Sequence, residues 1–174
     1  MNFIFKMLAT GFGFGYFPVI PGTFGTLVAI PLFLLFIPLS APLYFLNTLV
    51  ITLLAIWVSD KAIPLLAGGK KPTDPQVIVI DEVAGFLWTA GILRFAGFWD
   101  PQEGLIWLLA IAFVSFRIFD ASKWWLVGWA ERRFQGGMAV VMDDVIAGIF
   151  AGFASILFCV VYPMIVYLWV SLRA

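Results

Sequence analysis

Long apolar stretches, separated by short polar or glycine- and proline-rich breaks, run through the whole chain, and their lengths predict membrane helices rather than alternating strands. Residues 9–27 carry Gly11, Gly13, Gly15, Gly22 and Gly25 with Pro18 and Pro21, too many breakers for an uninterrupted helix, and predict an interfacial or re-entrant loop. Residues 27–39 follow as a first span, about 20 Å as helix against a hydrocarbon core of about 30 Å, with Pro31 near its start. Pro38, Ser40 and Pro42 make a tight turn, and residues 43–58 return to complete a hairpin in which Asn47 needs a local or interhelical partner. Residues 59–76 read as a solvent-accessible loop. Residues 77–99 are the next apolar stretch, with Asp81 and Glu82 at its start and Arg94 in its second half, so only the part beyond Glu82 suits lipid. A turn at 99–104 leads into 105–116, which ends in Arg117, Asp120 and Lys123. After a polar 128–137 segment, residues 138–172 predict one long tilted span, uncharged from residue 145 onward and bent near Pro163. The expected fold class is therefore an all-α integral membrane protein, a compact bundle of about five transmembrane or partly re-entrant helices forming a single domain over residues 1–174.

Composition sharpens this reading by exclusion. At 63% hydrophobic and 11% charged, with mean hydropathy +1.07, the chain is too apolar for an ordinary soluble domain. Ten Lys/Arg balance ten Asp/Glu, which leaves no basic surplus for nucleic-acid phosphates and excludes a nucleic-acid partner. The single cysteine, Cys159, cannot form an intrachain disulfide or a zinc cluster, and without histidine there are no His-based triads. Chemistry is left to carboxylates, Lys/Arg, hydroxyls, backbone amides or a hard metal. Residues 1–8 lack the apolar core and cleavage site of a secretory signal, so the amino terminus is expected to be retained.

Charge also orients the spans. With the amino terminus and the 59–76 and 117–137 stretches on the cytoplasmic side, that side receives Lys6, Lys61, Lys70, Lys71, Arg117, Lys123, Arg132 and Arg133, against Arg94 and Arg173 opposite. The same threading gathers Asp60, Asp81, Glu82, Asp120, Asp143 and Asp144 near the cytoplasmic face.

Two acidic pairs stand inside apolar sequence, IVIDEVAG (78–85) and MDDVIAG (142–148). Adjacent buried acids must be protonated, salt-bridged or bound to a cation; a shared hard cation such as Mg²⁺ suits an oxygen-rich site beside phosphate, while an ion or proton pathway and structural salt bridges are the alternatives. In FRIFDASK (116–123), Arg117, Asp120 and Lys123 recur at steps of three and share one helix face, either an anion grip or a solvated helix end holding its own salt bridge. Trp124, Trp125 and Trp129 read as interface anchors. Ala84 and Gly85 after the first pair, and Ala147, Gly148 and Gly152 after the second, permit close helix contact that would bring the acidic clusters together. Gly22, Thr23, Gly25 and Thr26 offer amides and hydroxyls to an anion, although without the Lys-Ser/Thr ending of a nucleotide-binding P-loop.

The ordered set ATGFGFGYFPVIPGTFGTL, DPQVIVIDEVAG, FRIFDASKWW and GGMAVVMDDVIAG, spanning roughly residues 9–152, resembles the phosphatidylglycerophosphatase A family. Two departures are visible: Thr73, Asp74 and Pro75 stand where the family usually has Lys-Asp-Pro, and Trp124 stands where a proline often follows the lysine. The resemblance implies an integral membrane, Mg²⁺-dependent phosphatase of the bacterial cytoplasmic (inner) membrane, with its site at the cytoplasmic side. Such an enzyme removes the terminal phosphate of phosphatidylglycerophosphate to leave phosphatidylglycerol. By the same resemblance Asp81, Glu82, Asp143 and Asp144 are candidate metal ligands, joined by Asp120 as catalytic carboxylates. Arg117 and Lys123, with Thr23 and Thr26, are candidate phosphate-binding residues. Metal-activated water is the favoured nucleophile, with an aspartyl-phosphate as runner-up. An ion or proton carrier and a non-enzymatic membrane subunit are the competing classes. The first predicts acids spread through the membrane depth rather than gathered at one side.

Overall fold

The computed structural model describes residues 2–67, 75–97, 104–122 and 133–172, and these are arranged as six α-helices with no strand among them. They are α1 (Asn2–Ala9), α2 (Pro21–Phe36), α3 (Ala41–Leu66), α4 (Ile80–Phe95), α5 (Leu105–Ser122) and α6 (Gly137–Ser171). Three of them, α3, α5 and α6, are long and apolar enough to cross a bilayer, and α2 is a shorter apolar helix. This is the all-α membrane bundle that the hydropathy pattern predicts.

Helix α4 is the hub. It is only 16 residues long, about 24 Å, and more than half of it is buried, because α2, α3, α5 and α6 all pack around it. Protein, rather than lipid, therefore surrounds the one helix that carries Asp81, Glu82 and Arg94. The core is a cluster of Phe33, Tyr44, Phe86, Leu87, Leu93, Leu108 and Phe116 with alanines from α2, α4, α5 and α6. Tyr44 is fully buried, and its hydroxyl donates to the Leu87 carbonyl at 2.8 Å. Asn47 finds the local partner expected of it, donating to Leu43 O at 2.8 Å.

The small residues beyond each acidic pair meet across the α4–α6 contact. A methyl group on Gly85 would lie 2.6 Å from the Asp144 carbonyl and 2.6 Å from the Phe116 ring, and one on Gly148 would press into the Gly85 backbone. A methyl on Gly152 would meet Ile92 at 2.8 Å. Thr89 joins the two helices by donating to Gly148 O at 2.9 Å.

Element boundaries depart from the sequence expectation in an instructive way. Helix α2 starts at Pro21, not near residue 27, because proline fits the first helical turn and the glycines of that turn are tolerated where α4 approaches closely. The irregular connection is thus confined to residues 10–20 and contains a 3₁₀ turn, Phe14–Tyr16. Helix α3 runs on through Ser59, Asp60 and Lys61 to Leu66, where a loop was expected. There Asp60 accepts the Gly137 N–H at 3.4 Å, meeting the start of α6. The amino-terminal segment, for which no element was expected, forms α1, which packs on α3 through an edge-on Phe5–Trp57 contact at 5.1 Å.

Candidate active site

The starts of α2, α4 and α6 and the ends of α3 and α5 lie at the same end of the bundle, as alternating helix direction requires. A cleft of about 270 Å³ opens there. Ile20, Pro21 and Gly22 line it from the start of α2, Gln76 and Ile78 from the approach to α4, and Asp81 and Glu82 from the first turn of α4. Arg117 and Asp120 come from α5, and Val140, Asp143 and Asp144 from α6.

Asp81, Glu82 and Asp144 form the tightest group. Each offers one carboxylate oxygen, and these oxygens all lie within 4.8 Å of one another. Asp81 and Asp144 are 8% and 4% exposed, and Glu82 Oε2 is buried without a hydrogen-bond partner. Three carboxylates so close cannot all ionise in a largely dry site unless positive charge neutralises them. The N-terminal ends of α2 and α4 contribute partial positive charge, but a hard cation fits this donor set far better: every ligand is oxygen, and Glu82 Oε2 is left unsatisfied. The site can therefore hold a metal ion.

Asp143 lies beside this trio rather than within it: it lines the cleft, is 5% exposed, and accepts the Asp144 N–H on Oδ1 at 3.1 Å. Across the cleft, Arg117 donates to Asp120 Oδ2 at 2.7 Å, the i, i+3 pairing read from the sequence. The remaining α2 residues divide. Gly22 lies directly against the Glu82 carboxylate, and a methyl there would also lie 3.0 Å from the Arg117 guanidinium, so the bare backbone is what lets α2 reach both groups. Thr26 is fully buried and its hydroxyl donates to Gly22 O at 2.9 Å; neither Thr23 nor Thr26 lines the cleft. Lys123, Trp124, Trp125 and Trp129 lie outside the described residues.

Gln76, Ile20 and Val140 also line the cleft, although the sequence reading did not select them. Gln76 offered a weak signal as the one amide in the approach to the first acidic pair. Ile20 and Val140 offered none, being apolar residues in apolar surroundings.

Fold and site together define a helical membrane protein with a carboxylate cluster able to hold a cation, facing a guanidinium at the polar ends of its helices. Residues 7–159 match the family described as Phosphatidylglycerophosphatase A, and the chain belongs to that family. It is 36% identical over 143 residues to the phosphatidylglycerophosphatase A of Escherichia coli (strain K12), covering 82% of this chain and 76% of that one. It is 34% identical over 156 residues to a Bacteroides thetaiotaomicron protein provisionally named a phosphatidylinositol-3-phosphatase, covering 86% and 90%. It is 29% identical over 161 residues to the Haemophilus influenzae phosphatidylglycerophosphatase A, covering 91% and 90%. No solved structure matches the chain. The protein is an enzyme, a phosphatase of phospholipid metabolism.

Proposed function

We propose that this chain is a Mg²⁺-dependent phosphatidylglycerophosphatase of the bacterial inner membrane. It would hydrolyse the terminal phosphomonoester of phosphatidylglycerophosphate to phosphatidylglycerol and phosphate, with its cleft at the cytoplasmic side. The observation that carries this reading is the convergence of the Asp81, Glu82 and Asp144 oxygens opposite Arg117 in one cleft. The positive-inside distribution of Lys and Arg supports the orientation.

Asp81, Glu82 and Asp144, with Asp143 beside them, are the residues that would hold the cation. Mg²⁺ bound there would supply Lewis-acid polarisation of the phosphoryl group and a water of lowered pKa. Arg117 binds the equatorial phosphoryl oxygens and, with Lys123, meets the charge that builds in the transition state. Asp120 holds the Arg117 fork in orientation through the 2.7 Å pair. Asp143, which lines the cleft beside the trio, is the carboxylate that would take the proton of the attacking water, and the leaving glycerol oxygen would regain a proton from solvent. Thr26 ties down the first turns of α2 through its bond to Gly22 O, while the Gly22 backbone lies against Glu82. The diacyl chains remain in lipid against the apolar helices. A through-membrane ion path is disfavoured because, beyond Asp144, α6 carries no charge to its end at Ser171.

The test is phosphate release by detergent-solubilised protein from phosphatidylglycerophosphate and, in parallel, from phosphatidylinositol 3-phosphate, each with and without Mg²⁺. Release from the first substrate that requires a divalent ion is expected. Absence of release from it under every metal condition removes the assignment, and preference for the inositol lipid transfers it to that substrate.

A further inference from the structure

The 12–20 segment runs straight into the cleft and differs in chemistry from the other connections at that end. The 59–76 and 117–137 stretches are rich in charge, whereas no Asp, Glu, Lys or Arg occurs between Lys6 and Asp60. Phe12, Phe14, Tyr16, Phe17, Val19 and Ile20 are all exposed, Val19 by 66% and Ile20 by 59%. They are held out by a built scaffold: Phe17 stacks on Phe24 of α2 with centroids 4.0 Å apart, Phe14 stacks on Phe17 at 6.5 Å, and Gly15 sits against the Val77 backbone. A non-helical backbone cannot lie in hydrocarbon exposed to lipid, while uncharged aromatic and aliphatic side chains are poorly placed in water. The boundary between head groups and acyl chains satisfies both.

Ile20 supplies an independent observation. Its backbone is left-handed, with φ +50° and ψ 58°, a conformation that β-branched residues avoid. Burial does not compensate that strain, since the side chain is exposed; instead Ile20 lines the cleft, immediately before Pro21 and Gly22, which also line it. Local strain without a packing reason, at the rim of a site, points to a role for the side chain.

We propose that the 12–20 segment is an interfacial lip and that Ile20 is its specificity-determining residue. The lip holds the glycerol–acyl junction of the lipid substrate while the phosphate enters the cleft, so the enzyme selects membrane-resident phosphomonoesters over soluble ones with the same head group. This rests on the phosphatase reading above.

The experiment uses the full chain in detergent with Ile20→Gly and Ile20→Asn. It compares kcat/KM for dioleoyl phosphatidylglycerophosphate in mixed micelles with that for the deacylated, water-soluble phosphomonoester that carries the same head group. Both variants are expected to lower the lipid over deacylated ratio about tenfold, the scale of one lost aliphatic contact, through KM rather than kcat. Ile20→Gly is expected to melt at or above the wild-type temperature, because glycine relieves the positive φ. An unchanged ratio, or an equal loss on both substrates, overturns the lip. A spin label at Val19→Cys in a Cys159→Ser background is expected to collide with oxygen in the lipid more than with an aqueous nickel chelate; the reverse order also overturns it, whatever the turnover. Failure of the wild type to release phosphate from either lipid would instead strike the underlying reaction.

Discussion

Replacing Gly85 by alanine tests whether the α4–α6 contact sets the geometry of the acidic centre. The added methyl would lie 2.6 Å from the Asp144 carbonyl oxygen and 2.6 and 2.8 Å from two carbons of the Phe116 ring. Comfortable contacts lie at about 3.5–4.0 Å, so the neighbours must retreat by about 1 Å. Phe116 is fully buried and the oxygen belongs to backbone, so neither can swing aside; α6 itself has to move, and Asp144 with it. Overpacking of this kind costs about 1–3 kcal/mol, offset in part by the roughly 1 kcal/mol that alanine gains over glycine inside a helix. The fold should survive with a melting temperature lower by a few degrees. Catalysis is less forgiving, because a displacement of about 1 Å can cost on the order of 100-fold in rate. The assay is phosphate release against Mg²⁺ concentration, with thermal unfolding alongside: the half-saturating Mg²⁺ should rise and the maximal rate fall by about two orders of magnitude. Gly91→Ala, which crowds the Tyr44 ring two turns further along α4, is the control and should lower stability without shifting the Mg²⁺ dependence. A Gly85→Ala enzyme with wild-type Mg²⁺ dependence and rate would refute the claim that this crossing positions the centre.

Asp81→Asn and Asp144→Asn should each lose most turnover while the protein stays inserted, and near-wild-type rates in both would remove them from the centre. Arg117→Ala should lower kcat/KM for the lipid by about 100-fold or more, as expected for a lost charge-assisted phosphate contact, and Asp120→Asn should fall between it and wild type; equal effects from the two would contradict an orienting role for Asp120. Arg94, which donates to Phe36 O and Leu39 O at the opposite end of the bundle, should behave differently. Arg94→Ala should reduce stability by about 1–3 kcal/mol in thermal unfolding, with an unaltered Mg²⁺ requirement in the phosphate-release assay.

Much of this molecule is decided by its sequence alone. A chain this apolar must satisfy its backbone internally, so helices in a membrane follow from hydropathy, and the few charges have to collect where helices end. That logic placed Asp81, Glu82, Asp120, Asp143 and Asp144 at one end, and the i, i+3 spacing put Arg117 and Asp120 on one helix face, while the structure decided that the two pair with each other. Tertiary packing decided distances between elements, which no local pattern encodes. It drew Asp81, Glu82 and Asp144 within 4.8 Å while leaving Asp143 beside them, because the bare Gly85–Gly148 crossing sets how α6 faces α4. It spent the Thr26 hydroxyl on Gly22 O within α2, and used Gly22 to admit Glu82 and Arg117, where the sequence suggested only an anion loop. It also brought Gln76 and Ile20 to the cleft, residues whose importance comes from what stands opposite them in space and not from their neighbours along the chain.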